Sequence, residues 1–394
     1  RKNSDALAIT TPPPYLILKD SENGWPFSYP LTLIKQLNTN VEIQYTPDVE
    51  DYDIDIDINT DQMMNDEYFA SMLAHEILHG MGIYYLIQPL SDMLPNLGFS
   101  SEVVMPPVDT VEYENEEGIL KEIKTFLPPS VYEKNFVNLE KLVNSKIVSN
   151  NNNNFISSDY YYFNETYYWA FKDLPLNIYV HQPLLENSEK IQLQQFNQTL
   201  FNWGGYPIAQ NFYKSAISEN SIGFLTTEGD ILKLQTYNNE YVGDFFHIST
   251  PYSCESKFKC SIEDETDHHK LEYGPNFVML PKYYVMDMNV EEKIQTYAPH
   301  NQYGLLSDGI VHMLTTMGWT ERNHTRNDKN YIVLMPDDLK NLQIIESVNP
   351  SNIELKINDE QNIASLVSSD GTSFQHVSSR FILLTILFVI FFLI

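Results

Sequence analysis

Isoleucine and aspartate alternate without a break over residues 53–58. Period-two alternation of apolar and charged side chains predicts a strand with one buried and one solvated face. Residues 52–58 are read as that strand, with a shorter one before it at 41–45 (VEIQY). The aspartates lack the glycine and terminal glutamate of a calcium-binding loop, so they are read as the solvated face. The period then changes. Over residues 68–81 the apolar positions Phe69, Met72, Leu73, Ile77 and Leu78 recur at helical spacing. Asn65 is a capping residue, Asp66 and Glu67 bring negative charge to the first turn, and Gly80 and Gly82 supply a stop.

Further along the pattern weakens. Helices are expected near residues 117–126 and 132–148, and the asparagine run 150–154 reads as an exposed loop. The aromatic clusters 160–162 and 167–169 are read as core or strand packing. Residues 193–217 have helical character interrupted at Gly204, Gly205 and Pro207. From residue 230 the signal sharpens: a strand at 230–236, an amphipathic helix at 306–319 ended by Gly318, and a short helix at 338–346. The region from Asn349 onward reads as a polar stalk.

The helix at 68–81 carries chemistry. Its residues His75, Glu76, Ile77, Leu78 and His79 spell HExxH. Histidines four apart on a helix share one face, so two imidazoles can bind one Zn²⁺. The glutamate beside them can take a proton from a zinc-activated water.

The rest of the chain narrows the setting. Its 394 residues suffice for two or three compact units, and 43% apolar and 13% aromatic content supports a sizeable core. The net charge of −29, from 53 acidic and 24 basic residues, argues against nucleic-acid binding. Cys254 and Cys260 can close a small disulfide loop in an oxidising compartment; unrelated thiols or part of a metal site are the alternatives. Asn164, Asn197 and Asn323 each begin an N-glycosylation sequon, consistent with export. Residues 381–394 are apolar except for Thr385. A polar spacer at 372–380 and the small residues Ser368, Ser369, Asp370 and Gly371 precede them. That order matches a GPI-attachment signal, with Ser369 the preferred attachment site and Ser368 or Asp370 the alternatives. A tail-anchored helix is the competing reading, although 14 residues are short for a span of about 20.

Taken together, these residues resemble the leishmanolysin-like metzincins, zinc endopeptidases often displayed at eukaryotic cell surfaces. The resemblance rests on HExxHxxG at residues 75–82, a long insertion, Met279 followed by Pro281, and a helix ending in Gly318 and Trp319. It covers about a third of the chain, and Tyr85 stands where the long metzincin motif has its third histidine. The resemblance implies an α+β metzincin-like zincin: an N-terminal mixed sheet with the active-site helix, a long insertion, and a C-terminal subdomain with a Met-turn and helix. The implied divisions are residues 1–95, an insertion at 96–228, a second catalytic subdomain at 229–346, a stalk at 347–371 and the anchor signal at 372–394. One zinc would be held by His75, His79 and a later histidine. His247 is preferred because it follows a strand candidate; His268, eleven residues before Met279, and its neighbour His269 remain open. Glu76 would be the general base, and Met279 would form the turn beneath the zinc. The expected activity is zinc-dependent peptide hydrolysis by a GPI-anchored monomer at the extracellular face of the plasma membrane, acting on protein or peptide substrates. The alternative is a surface adhesion protein on a degenerate metzincin scaffold.

Overall fold

A computed structural model describes residues 7–20, 25–39, 53–60, 66–89, 103–115, 118–139, 179–182, 206–218, 221–238, 241–249, 275–280, 290–297, 299, 303–321 and 329–335. The architecture is mixed α+β, with several small sheets and few helices among these residues. Strands β1 (Ala8–Thr11), β2 (Tyr15–Lys19) and β3 (Phe27–Pro30) lead into the one-turn helix α1 (Leu31–Ile34) and β4 (Asn38–Thr39). β5 (Asp55–Ile58) precedes the long helix α2 (Asp66–Gly80). Then follow β6 (Gln88–Pro89), β7 (Val104–Met105), β8 (Val108–Asn115), β9 (Gly118–Phe126), β10 (Phe136–Asn138) and β11 (Tyr179–Gln182). Helix α3 (Tyr206–Ala216) comes before β12 (Ile222–Leu225), β13 (Ile231–Asn238) and β14 (Tyr241–Ile248). Helices α4 (Val290–Tyr297) and α5 (Asp308–Met317) and strand β15 (Asn330–Leu334) complete the described chain.

The alternating segment forms β5, which pairs antiparallel with β1 in a two-stranded ribbon beside α2. Asp55 and Asp57 are exposed, as the alternation predicts; Ile56 is half-buried, and Ile58 is exposed. β15 returns to the N-terminal region and pairs antiparallel with β2 and parallel with β4. The four-stranded sheet β10-β12-β13-β14 carries the other half of the candidate site. One continuous apolar cluster runs through both regions, from Leu18 and Leu78 to Phe245, Met279, Leu314 and Tyr331.

The same device ends α2 and α5. Gly82 takes a left-handed φ of 99° while its N–H bonds His79 O and the next N–H bonds Leu78 O. Gly318, at φ 115°, repeats the pattern with Thr315 O and Leu314 O. These are Schellman endings, and glycine adopts that φ without the Cβ penalty. The two endings are tied together: the Trp319 indole N–H donates to Met81 O at 3.1 Å. At its other end α5 is capped by Ser307, whose hydroxyl accepts from the Ile310 N–H.

Two helical expectations are corrected. Within the span 117–126, Gly118–Phe126 form strand β9, paired along its length with β8. Ile119, Leu120, Ile123 and Phe126 fit a helical spacing, but β8 supplies a β-branched and aromatic partner strand, and that pairing overrides the local signal. At the start of the expected helix at 132–148, residues 133–135 form one 3₁₀ turn, Glu133–Asn135, and β10 follows, while residues 140–148 lie outside the described residues. All three residues of β10 are buried, so its short apolar run belongs to an interior strand. Pro207 lies in the first turn of α3, where its missing N–H costs nothing, and residues 193–205 lie outside the described residues. The strand expected at 41–45 and the helix at 338–346 lie outside the described residues.

Candidate metal centre

α2 delivers His75 and His79 one turn apart on its buried face. Their Nε2 atoms lie 3.0 Å from each other. His247 arrives from β14 with its Nε2 3.1 Å from that of His75. All three imidazoles are buried, and each offers a ring nitrogen within 4.8 Å of the other two, so the cluster could hold a metal ion.

A bulge aims His247. Along the β13–β14 ladder Gln235 faces Asp244, while its neighbour Leu234 faces Ile248. Phe245, Phe246 and His247 are therefore extra residues without counterparts, and such an insertion re-aims side chains. The fully buried Phe245 anchors the bulge by its ring, and its carbonyl accepts from the Tyr132 hydroxyl at 2.7 Å.

The outer nitrogen of every imidazole is engaged. His75 Nδ1 meets Val278 O at 2.7 Å and His79 Nδ1 meets Ile83 O at 3.0 Å. A carbonyl only accepts, so both Nδ1 atoms carry the proton and donate, which leaves Nε2 with a bare lone pair. His247 Nδ1 donates to Asp244 Oδ2 at 2.7 Å. Burial pushes all three imidazole pKa values down, those of His79 and His247 furthest, and the neighbouring His75 lowers both further. The Asp244 carboxyl is pushed up to about 7 by desolvation of its oxygens, with His75 pulling the other way. The Asp244 side chain is still 31% exposed.

The donor set fits a zinc ion. Three neutral imidazoles point bare nitrogens at one another with no proton to share, an arrangement that repels itself and that a cation relieves. Tetrahedral zinc with bonds of 2.0–2.1 Å would set its nitrogens about 3.3 Å apart. The observed 3.0 and 3.1 Å lie close to that.

Glu76 follows His75 on α2 and is buried; its Oε2 accepts from the Thr10 hydroxyl at 2.6 Å. Met279 is fully buried in a 3₁₀ turn, Phe277–Met279, that packs on α2 and brings up the Val278 carbonyl. Tyr85 supplies no imidazole-like ligand. Its ring stacks on Phe246 at 5.3 Å and meets Phe245 edge-on at 5.2 Å, linking the segment after α2 to the bulge. That segment is also held from below: Glu133 Oε1 accepts from the N–H groups of Leu86 and Ile87, and Oε2 from Ser130 N–H. Ser130 Oγ accepts from Glu133 N–H in return, so the pair forms a capping box.

The structure thus brings together His75, Glu76, His79 and His247, with Met279 in the turn behind His75. His268, His269, Cys254, Cys260, Asn164, Asn197, Asn323 and Ser369 lie outside the described residues. Sequence reasoning missed Asp244, Thr10, Tyr132 and Glu133. Only Glu133 has a local signal, the Ser130-x-x-Glu133 spacing. Among the described residues no helix is long and apolar enough to cross a membrane. Compared with known proteins, the chain matches no protein-family model, no curated sequence and no solved structure.

Proposed function

We propose that this chain is a zinc-dependent endopeptidase of metzincin type. One observation carries the reading: three buried imidazoles converge through bare Nε2 atoms, and the buried Glu76 directly follows His75 on the same helix. His75, His79 and His247 would hold the zinc, which would supply a Lewis acid and activate a water when bound. The chain's own groups do the rest. The Val278 and Ile83 carbonyls and the Asp244 carboxylate hold the imidazoles in one tautomer and orientation. Glu76 takes a proton from the attacking water and returns it to the departing amine. The turn at Met279 is, in this reading, the Met-turn of the family the chain resembles.

Display at the extracellular face of the plasma membrane is part of the proposal and is supported by the small residues, spacer and apolar tail of residues 368–394. The deciding experiment combines zinc analysis of the purified chain with cleavage of a quenched-fluorescent peptide library. One zinc per chain is expected, with cleavage that chelation abolishes and that Glu76→Gln lowers by roughly 100-fold or more. Cleavage by Glu76→Gln at the wild-type rate removes the assigned base. A chain without stoichiometric zinc points instead to binding without catalysis.

A further inference from the structure

Thr10 sits on β1, 66 residues before Glu76 and far from the metal-binding motif in sequence. Its side chain is buried, as is that of Glu76. The hydroxyl lies 2.6 Å from Glu76 Oε2 and 2.8 Å from the backbone carbonyl of the same residue. One hydroxyl has one proton for two acceptors. The shorter contact goes to the carboxylate, whose charge makes it the stronger acceptor, and 2.6 Å is typical of a hydroxyl–carboxylate bond. We propose that Thr10 is a positioning residue for the general base, holding Oε2 so that the Glu76 carboxylate keeps one rotamer beside the three imidazoles. This rests on the peptidase reading only for its catalytic consequence; the bond itself is a property of the fold.

The physical argument is one of freedom. A glutamate side chain has three rotatable bonds, and a base misplaced by an ångström loses much of its effect. α2 fixes the Glu76 backbone but not its carboxylate. The ribbon of β1 and β5 lies against α2 and carries the one side chain seen to hold that carboxylate among the described residues. A β-branched threonine has a stiff χ1, so it presents its hydroxyl from a defined place.

Thr10→Val removes the hydroxyl at nearly constant shape, and Thr10→Ser keeps it. With the zinc-loaded protein and a quenched-fluorescent peptide, Thr10→Val should lower kcat roughly tenfold at unchanged KM, and Thr10→Ser should recover most of it. Zinc affinity by chelator competition should be unchanged in both, since the Thr10 hydroxyl bonds Glu76 and not an imidazole. A readout independent of activity is the Tm of the metal-stripped chain. Thr10→Val should lower it more with Glu76 present than in a Glu76→Ala background, because only the former loses the carboxylate bond. If Thr10→Val does not fold, Thr10→Ala against Thr10→Ser carries the same comparison. Wild-type kcat in Thr10→Val, equal losses in the Val and Ser variants, reduced zinc affinity, or equal Tm shifts in both backgrounds would overturn the proposal. If the chain cleaves no peptide, the peptidase reading fails and the Tm comparison alone still decides the Thr10–Glu76 bond.

Discussion

Asp244 and His247 stand three residues apart on one strand, yet Asp244 Oδ2 accepts from His247 Nδ1 at 2.7 Å. Period-two geometry sends such residues to opposite faces. The three extra residues in β14 abolish that alternation and let both side chains turn to one site. Orientation of the third imidazole therefore depends on a carboxylate that the bulge brings into reach.

Asp244→Ala is accordingly expected to weaken zinc binding by roughly 10–100-fold, the usual cost of losing a carboxylate that orients a ligating histidine. Competition with a chelator of known affinity measures this. An affinity equal to wild type would mean that the bond has no part in holding the metal.

Gly82→Ala tests the end of α2. A Cβ there would sit 2.6 Å from Pro30 Cγ, and the left-handed φ adds strain of its own. The expected loss is at least about 1–2 kcal/mol, read from chemical denaturation. Because this turn presents the Ile83 carbonyl to His79, zinc affinity should fall with it.

Tyr132→Phe removes the donor to the bulge carbonyl of Phe245 while leaving the buried ring stacked on Phe224. A buried acceptor left unpaired costs about 1–3 kcal/mol. Denaturation should show that loss, and a variant as stable as wild type would mean that another donor reaches the carbonyl.

The metal-stripped chain should lose stability on acidification. Burial holds the three imidazole pKa values below the ordinary 6.5, so at these three sites the native state binds fewer protons than the unfolded one, and the single raised carboxyl of Asp244 offsets only part of this. Their contribution is complete above about 6.5 and falls as pH drops from there toward the lowered native values. Tm between pH 7.5 and 5 measures it. Replacing all three histidines by glutamine should flatten the slope.

The long helices and their ends were legible in the chain alone. Apolar spacing at 3.6 residues and Gly82 and Gly318 as stops are local signals, and a helix satisfies its backbone locally. The same locality makes His75, Glu76 and His79 readable, since their spacing alone puts both imidazoles on one face. β9 was misread for the complementary reason: its apolar positions suit either period, and only pairing with β8 decides between them.

What the sequence determined by itself is the helix, the paired imidazoles and the adjacent carboxylate. Tertiary structure alone decided which described histidine meets them, which carbonyls and carboxylate hold the rings, and which hydroxyl reaches Glu76. Thr10, His247 and Val278 lie 66, 172 and 203 residues from the motif residues they meet. Register jumps and sheet pairing join segments across such separations, and neither leaves a period in the chain.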